Sequence, residues 1–142
     1  MIKIFILTIL LATFTNAQNL KDGFYSVRTD KTYFFYYPTT TMTVKNGEIV
    51  AVTHDRTKLD GKKASEDEDY NKNMLENRGV NAEIYSKKLV EEYFAANKNL
   101  DKVENIAGAT DSSRHFKSQM RFLIEKAQTK GPGNYIMKNY DL

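Results

Sequence analysis

The segment 107–113 carries the residues of this chain that are best suited to hold a phosphate group. It reads Ala-Gly-Ala-Thr-Asp-Ser-Ser, so a glycine-containing turn precedes one threonine and two serines. The segment leads into an amphipathic stretch, which places these hydroxyls at the predicted N-terminus of a helix. Free backbone N–H groups and the helix dipole attract an anion there, and the small residues Gly108 and Ala109 let the backbone approach it closely. The spacing therefore indicates a phosphate-binding site.

The same segment also has a purely structural interpretation. Asp111 and Ser112 are residue types that cap helices, and Gly108 suits a tight turn. On spacing alone, capping is the more frequent role of such residues, and both interpretations stay open at this stage.

Alternating and β-branched stretches predict the strands that must position this segment. Strands are predicted over 23–29, 32–37, 41–45, 48–53 and 103–106, with 135–142 as a tail or a final edge strand. Asn46 and Gly47 supply the positive φ of a two-residue turn between two of these strands. The first two strands are predicted to form a separate hairpin about Asp30 and Lys31.

Helices are predicted over 66–78, 82–97 and 113–127 from their 3.6-residue apolar spacing, and Gly79 is predicted to end the first of them. The last should bury Phe116, Met120 and Leu123 on one stripe. The expected fold is α+β, a twisted antiparallel sheet packed with two to three helices.

Composition excludes several classes of protein. The 142 residues are 41% hydrophobic and 27% charged, which is ordinary globular composition and predicts one domain. The net charge of +3, from 21 basic and 18 acidic residues, is too small for a dedicated nucleic-acid binder. Because the chain has no cysteine, disulfides, thiolate metal sites and a lipidated cysteine are excluded.

The N-terminal residues 1–17 read as a secretory signal peptide. Lys3 precedes an apolar run over 4–14, and Thr-Asn-Ala at 15–17 ends in a small residue, as a signal-peptide cleavage site does. The run is shorter than the roughly 20 residues that cross a bilayer, so no transmembrane anchor is expected in the mature chain. The prediction is an exported protein, periplasmic or extracellular, whose single domain spans 18–142.

Four landmarks resemble the FMN-binding domain family. Residues 107–113 resemble its [Ser/Thr]-Gly-Ala-Thr-x-[Ser/Thr]-[Ser/Thr] signature, and Asp-Gly-Phe-Tyr at 22–25 resembles its opening Asp-Gly-x-Tyr. Residues 42–49 resemble its Val-Lys-x-Gly-x-Ile hairpin. Residues 65–71, Ser-Glu-Asp-Glu-Asp-Tyr-Asn, with Met74, resemble a subgroup of exported, often lipid-anchored electron-transfer proteins. Flavinylated subunits of ion-translocating quinone and ferredoxin reductases carry the same kind of domain.

The resemblance implies a covalently held cofactor. In such proteins the threonine that matches Thr110 is esterified to the phosphate of FMN by a separate flavin transferase, which uses FAD and Mg²⁺ and releases AMP. Gly108, Ala109, Ser112 and Ser113 would then surround the phosphate. The chain would be an extracytoplasmic redox carrier rather than a stand-alone catalyst, with a redox donor and acceptor in the cell envelope that the sequence does not identify.

The matching block over 65–74 offers candidates for contact with the flavin. They are Tyr70, Asn71 and Met74, although the same spacing equally describes a core stripe. The aromatic residues between Tyr33 and Tyr37 could form a wall for the flavin, but aromatics in strands more often pack in cores.

Two departures from the family pattern support an alternative function. Glu104 stands where the family usually has Asp, and Ala107 stands where it has Ser or Thr. A flavin-free or reversibly FMN-binding envelope protein of the same fold is therefore the second hypothesis. No metal site is expected, since His54 and His115 lack partner motifs and are predicted to lie on the surface.

Overall fold

Four strands and three α-helices make up the fold of residues 19–139. The computed structural model describes residues 19–139, so the predicted signal segment 1–17 lies outside the described residues. The elements are β1 (Gly23–Thr29), β2 (Tyr37–Lys45), β3 (Glu48–Thr57), α1 (Glu68–Arg78), α2 (Ala82–Ala95), α3 (Thr110–Thr129) and β4 (Gly133–Met137). The predicted α+β class is confirmed.

The Asn46-Gly47 turn organises the first three strands. Both residues have positive φ, 52° and 75°, and the carboxylate of Asp22 accepts hydrogen bonds from both of their N–H groups. Strands β2 and β3 pair antiparallel on either side of this turn, as predicted. Both strands run further than their alternation indicated, because β2 begins at Tyr37 and β3 continues to Thr57.

The prediction of a purely antiparallel sheet is wrong at one edge. The strand order is β3-β2-β1-β4, and β4 pairs parallel with β1, with Tyr25 opposite Gly133 and Thr29 opposite Met137. A parallel neighbour requires a long crossover, and the helix α3 that precedes β4 returns the chain to the start of the sheet. The sheet is therefore mixed.

Two predicted strands do not form. In the predicted strand 32–37, residues 33–36 make a tight turn and Tyr37 begins β2, so β1 pairs with β2 across a wider connection. Residues 103–106 follow a 3₁₀ turn, Leu100–Lys102, and have no sheet partner, although Val103 and Ile106 are buried. The apolar character of that second segment reflects burial in a loop rather than strand pairing.

The helices cover one face of the sheet. Helix α1 ends before Gly79, whose φ of 71° gives the left-handed cap predicted there. Phe116, Met120 and Leu123 of α3 are fully buried, which confirms the predicted stripe. Helix α3 starts at Thr110, three residues earlier than expected, so Thr110 belongs to its first turn. Between residues 19 and 139, no helix is both long enough and apolar enough to cross a membrane.

Candidate functional site

The N-terminus of α3 lacks a side-chain cap. Ala109 occupies the cap position with φ of −134° and ψ of 41° and makes no capping hydrogen bond through its side chain. The first intrahelical bond runs from the Ser113 N–H to the Ala109 carbonyl at 3.0 Å. The N–H groups of Thr110, Asp111 and Ser112 therefore have no intrahelical acceptor. Neither Asp111 nor Ser112 caps the helix as the structural interpretation predicted.

The three hydroxyls of the segment point to different surroundings. Thr110 is exposed. Ser112 is buried, and its Oγ accepts a hydrogen bond of 2.9 Å from Nη2 of Arg56. Ser113 is also buried, and its Oγ donates to the Ala109 carbonyl and accepts from the Ile106 N–H. Thr110 alone of the three offers an exposed hydroxyl at this helix end.

Gly108 is required by close packing. Its φ is 83°, and a Cβ placed on it would lie 2.3 Å from the carbonyl oxygen of Arg78 and 2.9 Å from Cγ1 of Val80. The turn before α3 therefore packs against the backbone at the end of α1. This contact brings the first turn of α3 beside α1.

Residues Tyr33 to Tyr36, here called the aromatic turn, form a two-residue hairpin turn. Tyr33 and Tyr36 exchange both backbone N–H to carbonyl hydrogen bonds, at 2.6 and 3.3 Å. The two central residues, Phe34 and Phe35, have φ of 50° and 70°, the pair of positive values that defines a type I′ turn. Their side chains are 56% and 84% exposed.

The two tyrosines anchor the aromatic turn to two helices. Tyr33 Oη donates a hydrogen bond of 2.5 Å to Oδ2 of Asp111 in the first turn of α3. Tyr36 Oη donates one of 2.5 Å to Oδ2 of Asp67, the N-cap of α1. These bonds hold the pKa of both carboxyl groups below the usual range, and the bond to Asp67 raises the pKa of Tyr36 to about 12.

Arg56 lies buried beneath the aromatic turn. Its guanidinium carbon lies 4.8 Å from the ring centre of Tyr33 and 5.8 Å from that of Phe34. Nη1 donates to the Tyr70 hydroxyl and Nη2 to Ser112, whereas Nε is buried and has no hydrogen-bond partner in the described chain. Among residues 19–139, no ion pair joins Arg56 to a carboxylate.

These groups surround one cleft of about 740 Å³. The cleft is lined by the aromatic turn, by Arg56 and Lys58, by residues 108–112, and by Asp67, Asp69, Tyr70, Asn73, Met74, Asn77 and Arg78. Its volume falls within the range of pockets that bind small molecules and cofactors. The cleft carries both an anion-attracting helix end and a set of aromatic side chains.

Six of the eight predicted site residues line the cleft: Gly108, Ala109, Thr110, Ser112, Tyr70 and Met74. Asn71 and Ser113 do not. The Nδ2 of Asn71 donates to the carbonyls of Ala64, Ser65 and Asp67, and its Oδ1 accepts from the Glu83 N–H. Asn71 therefore joins the start of α1 to the start of α2.

The prediction that both histidines lie on the surface is wrong. His54 and His115 are 3% and 6% exposed. Burial lowers the pKa of His54 to about 3, with His115 and Arg56 adding to the effect, and burial beside Arg56 lowers that of His115 to about 4. Both imidazoles are thus neutral in the folded protein at pH 7. No group of three potential metal-ligating side chains occurs within residues 19–139.

Comparison with known proteins identifies a fold but no activity. No protein-family model matches the chain, and no curated protein matches it either. The chain is similar to the crystal structure of the CPE2226 protein from Clostridium perfringens, with a TM-score of 0.75 and 26% sequence identity. The match covers 84% of this chain and 98% of that one. This similarity shows that a solved protein structure has the same fold over most of its length.

Sequence analysis did not identify Arg56 as a site residue, and it considered the aromatic residues between Tyr33 and Tyr37 as a flavin wall without naming any of them as a site residue. Val52, His54 and Arg56 are buried at alternating positions of β3, so period-2 alternation extended from Val52 places an arginine on the buried face. An arginine at such a position needs an anionic or aromatic partner. That signal was present in the sequence, whereas the tight turn at Phe34 and Phe35 had none, because neither residue type favours positive φ.

Proposed function

We propose that this chain is an exported FMN-binding protein that acts as an extracytoplasmic electron-transfer module, with the flavin attached through a phosphoester to Thr110. The single observation that carries the proposal is the position of Thr110. Its exposed hydroxyl lies in the uncapped first turn of α3, at the wall of a cleft whose other walls include aromatic side chains. A phosphate and a planar ring are the two parts of FMN that such a cleft suits.

The buried guanidinium of Arg56 supports the presence of a negatively charged group. A buried charge without a counter-ion is costly, and the orphaned Nε leaves one strong donor unused. The N–H groups at the start of α3 add the positive end of the helix dipole. The phosphate of FMN would neutralise this combined positive field, so these residues fit the group.

The attachment step is a transfer of the FMN phosphoryl group from FAD. The Thr110 Oγ forms a bond to the phosphorus on the flavin side of the pyrophosphate, and the P–O bond that links this phosphorus to the AMP half breaks. AMP leaves, and the hydroxyl proton passes to solvent. A flavin transferase with Mg²⁺ performs the step, and the exposure of Thr110 gives it access.

The residues of the chain then hold and shield the cofactor. Bound FMN supplies the oxidation and reduction chemistry, which the protein tunes through burial and polar contacts. Arg56 and the first turn of α3 would bind the phosphate, and Tyr70 and Met74 would exclude water along the α1 wall. A redox donor and an acceptor in the cell envelope complete the proposed role.

Arg56 also favours reversible FMN binding as a second candidate function. A phosphate held by a guanidinium and free backbone N–H groups needs no ester to stay in place. Ala107 and Glu104, which differ from the family pattern, lie in the loop that a transferase would approach. Both forms of FMN binding use the same cleft, so one experiment separates them.

Co-expression with a flavin transferase, followed by intact mass measurement, tests the proposal. Wild type should gain one FMN-sized increment and keep its visible absorbance after acid precipitation. Thr110→Val should gain neither, because it keeps the shape of the side chain but lacks the nucleophilic oxygen. Thr129→Val, at the other end of the same helix, is the matched control and should be labelled like wild type.

Other outcomes of this experiment would indicate a different attachment residue, reversible FMN binding or a flavin-free protein. Labelling of Thr110→Val combined with loss of labelling in Ser112→Ala or Ser113→Ala would move the attachment site. If wild type is not labelled but binds FMN in an equilibrium titration, binding is reversible. If it does neither, the chain is a flavin-free envelope protein.

The export part of the proposal has its own test. N-terminal sequencing of the material recovered outside the inner membrane should begin at Gln18. A membrane-embedded product that still begins at Met1 would mean that residues 1–17 anchor the protein.

A further inference from the structure

We infer that Phe34 and Phe35 form an aromatic clamp that contacts the planar ring of the cofactor in the cleft. The inference rests on the proposed function, and it assigns the ring-contacting role to residues outside the family-like motifs. It follows from the conformation of the turn, its anchoring and its exposure.

The conformation of the turn is costly for its residue types. This chain contains a second two-residue turn with nearly the same φ angles, at Asn46 and Gly47, with φ of 52° and 75°. Asn and Gly are the residues that adopt this conformation readily. Phe34 and Phe35 adopt it with φ of 50° and 70°, although bulky side chains disfavour positive φ. Turn geometry therefore does not explain the two phenylalanines.

Burial does not explain them either. Phe34 is 56% exposed and Phe35 84% exposed, so the folded chain gains little from removing them from water. Strained backbone persists only where surrounding contacts hold it, and it is concentrated at functional sites. Two strained and exposed aromatics thus indicate a contact that the polypeptide alone does not satisfy.

The base of the turn is held in a fixed place. Tyr33 is bonded to Asp111 at the start of α3, and Tyr36 to Asp67 at the start of α1. The Arg56 guanidinium packs against the Tyr33 ring from below. These three contacts hold Phe34 and Phe35 at the cleft that Thr110 also lines.

The cleft determines what the two rings contact. The phosphate and the flavin ring are parts of one FMN molecule. A phosphate held at Thr110 therefore keeps the ring within reach of the cleft walls. Aromatic side chains bind planar rings through offset or edge contacts, and Tyr70 and Met74 offer further apolar surface on the α1 wall. A flat aromatic ring is therefore the occupant that Phe34 and Phe35 fit.

The test replaces the two phenylalanines by the residues of the second turn. The variant F34N/F35G removes both rings and gives the turn an Asn-Gly sequence that suits its backbone. Its melting temperature without cofactor should be equal to or higher than that of wild type. Phe24→Asn, which removes a phenylalanine that is 54% exposed on β1, is the control.

The cofactor is loaded either from FAD by the transferase or by titration with FMN, and two quantities are then measured. Iodide quenching of flavin fluorescence should be several-fold stronger in F34N/F35G than in wild type or Phe24→Asn. If binding is reversible, the dissociation constant for FMN should rise about tenfold or more, by analogy with the stacking of bases on aromatic side chains.

Two results would overturn the inference, and they differ from each other. If F34N/F35G holds FMN with unchanged quenching and unchanged affinity, the clamp is wrong while the proposed function stands, and the exposed rings then belong to a contact with another protein. If wild type neither becomes labelled nor binds FMN, the proposed function fails and the clamp fails with it.

Discussion

Tyr33 Oη donates a hydrogen bond of 2.5 Å to Oδ2 of Asp111, which joins the aromatic turn to the first turn of α3 across 78 positions of sequence. Asp111 lies next to Thr110, the proposed attachment residue. The bond therefore couples the position of the exposed rings to the position of the hydroxyl that would carry the cofactor.

Tyr33→Phe should detach the turn from α3 without removing an aromatic ring. Hydrogen bonds to charged groups contribute about 1.5–3 kcal/mol, and partial exposure of this one reduces the expected loss of unfolding free energy to about 1 kcal/mol. The pKa of Asp111 should rise towards its usual value of 3.8, because the bond is the largest cause of its lowering. Urea denaturation and NMR titration measure the two effects. Tyr36→Phe is the matched variant and should change the pKa of Asp67 instead.

Arg56→Met should reduce the preference for phosphate-bearing ligands. The substitution keeps a long apolar stem but removes the charge, so binding of FMN should weaken while binding of riboflavin, which lacks the phosphate, changes little. Loss of a charge-assisted contact of about 1.5–3 kcal/mol corresponds to roughly a ten- to hundred-fold change in the ratio of the two affinities. Fluorescence titration measures both constants.

Arg28→Met is the control for this substitution. Arg28 also packs over an aromatic ring, that of Tyr37 at 4.7 Å, but it does not line the cleft. The preference for FMN should be unchanged in this variant. An equal loss of FMN and riboflavin binding in Arg56→Met would show that Arg56 supports the shape of the cleft and not the phosphate.

Gly108→Ala should destabilise the fold more than an equivalent change at Gly61. Both glycines have positive φ, 83° and 91°, but only at Gly108 would the new Cβ meet backbone, 2.3 Å from the Arg78 carbonyl oxygen. Gly61→Ala has open space around it and should lose about 1–2 kcal/mol from backbone strain alone. Gly108→Ala should lose clearly more in urea denaturation. Equal losses would mean that the loop moves away from α1 at no cost.

The two buried histidines should make folding sensitive to mild acid. Their pKa values in the folded state, about 3 for His54 and about 4 for His115, lie below the unfolded value of 6.5. The unfolded chain therefore binds protons first, so stability is full above pH 6.5 and is lost as the pH falls towards 4. Each histidine contributes a slope of up to about 1.4 kcal/mol per pH unit in this window.

Urea denaturation at several pH values between 7 and 4.5 checks this slope. His115→Gln should reduce it by about half, since one titrating group of two remains. The carboxyl groups with lowered pKa, Asp22, Asp67 and Asp111, contribute only at lower pH, because their unfolded value is 3.8. A flat profile between pH 6.5 and 4.5 would mean that the imidazoles are hydrated in the folded protein.

Local sequence was sufficient where neighbouring residues decide the conformation. Asn46-Gly47 predicted its turn because these two residue types adopt positive φ at low cost, and Gly79 predicted the end of α1 for the same reason. The 3.6-residue spacing predicted the buried stripe of α3. The amphipathic spacing after residues 107–113 predicted a helix start in this part of the chain, and α3 begins within the segment, at Thr110, without a side-chain cap.

Tertiary structure decided which of the predicted hydroxyls face the cleft and what surrounds them. Ser113 points to the core and Ser112 to Arg56. The local sequence does not determine this difference, because it depends on the rotation of α3 against the sheet. Arg56 and the aromatic turn reach the site from β3 and from the β1–β2 connection. Strand β4 runs parallel to β1 because α3 crosses the sheet before it. Periodicity and turn chemistry act over a few neighbouring residues, whereas these relationships arise from packing between segments far apart in the chain.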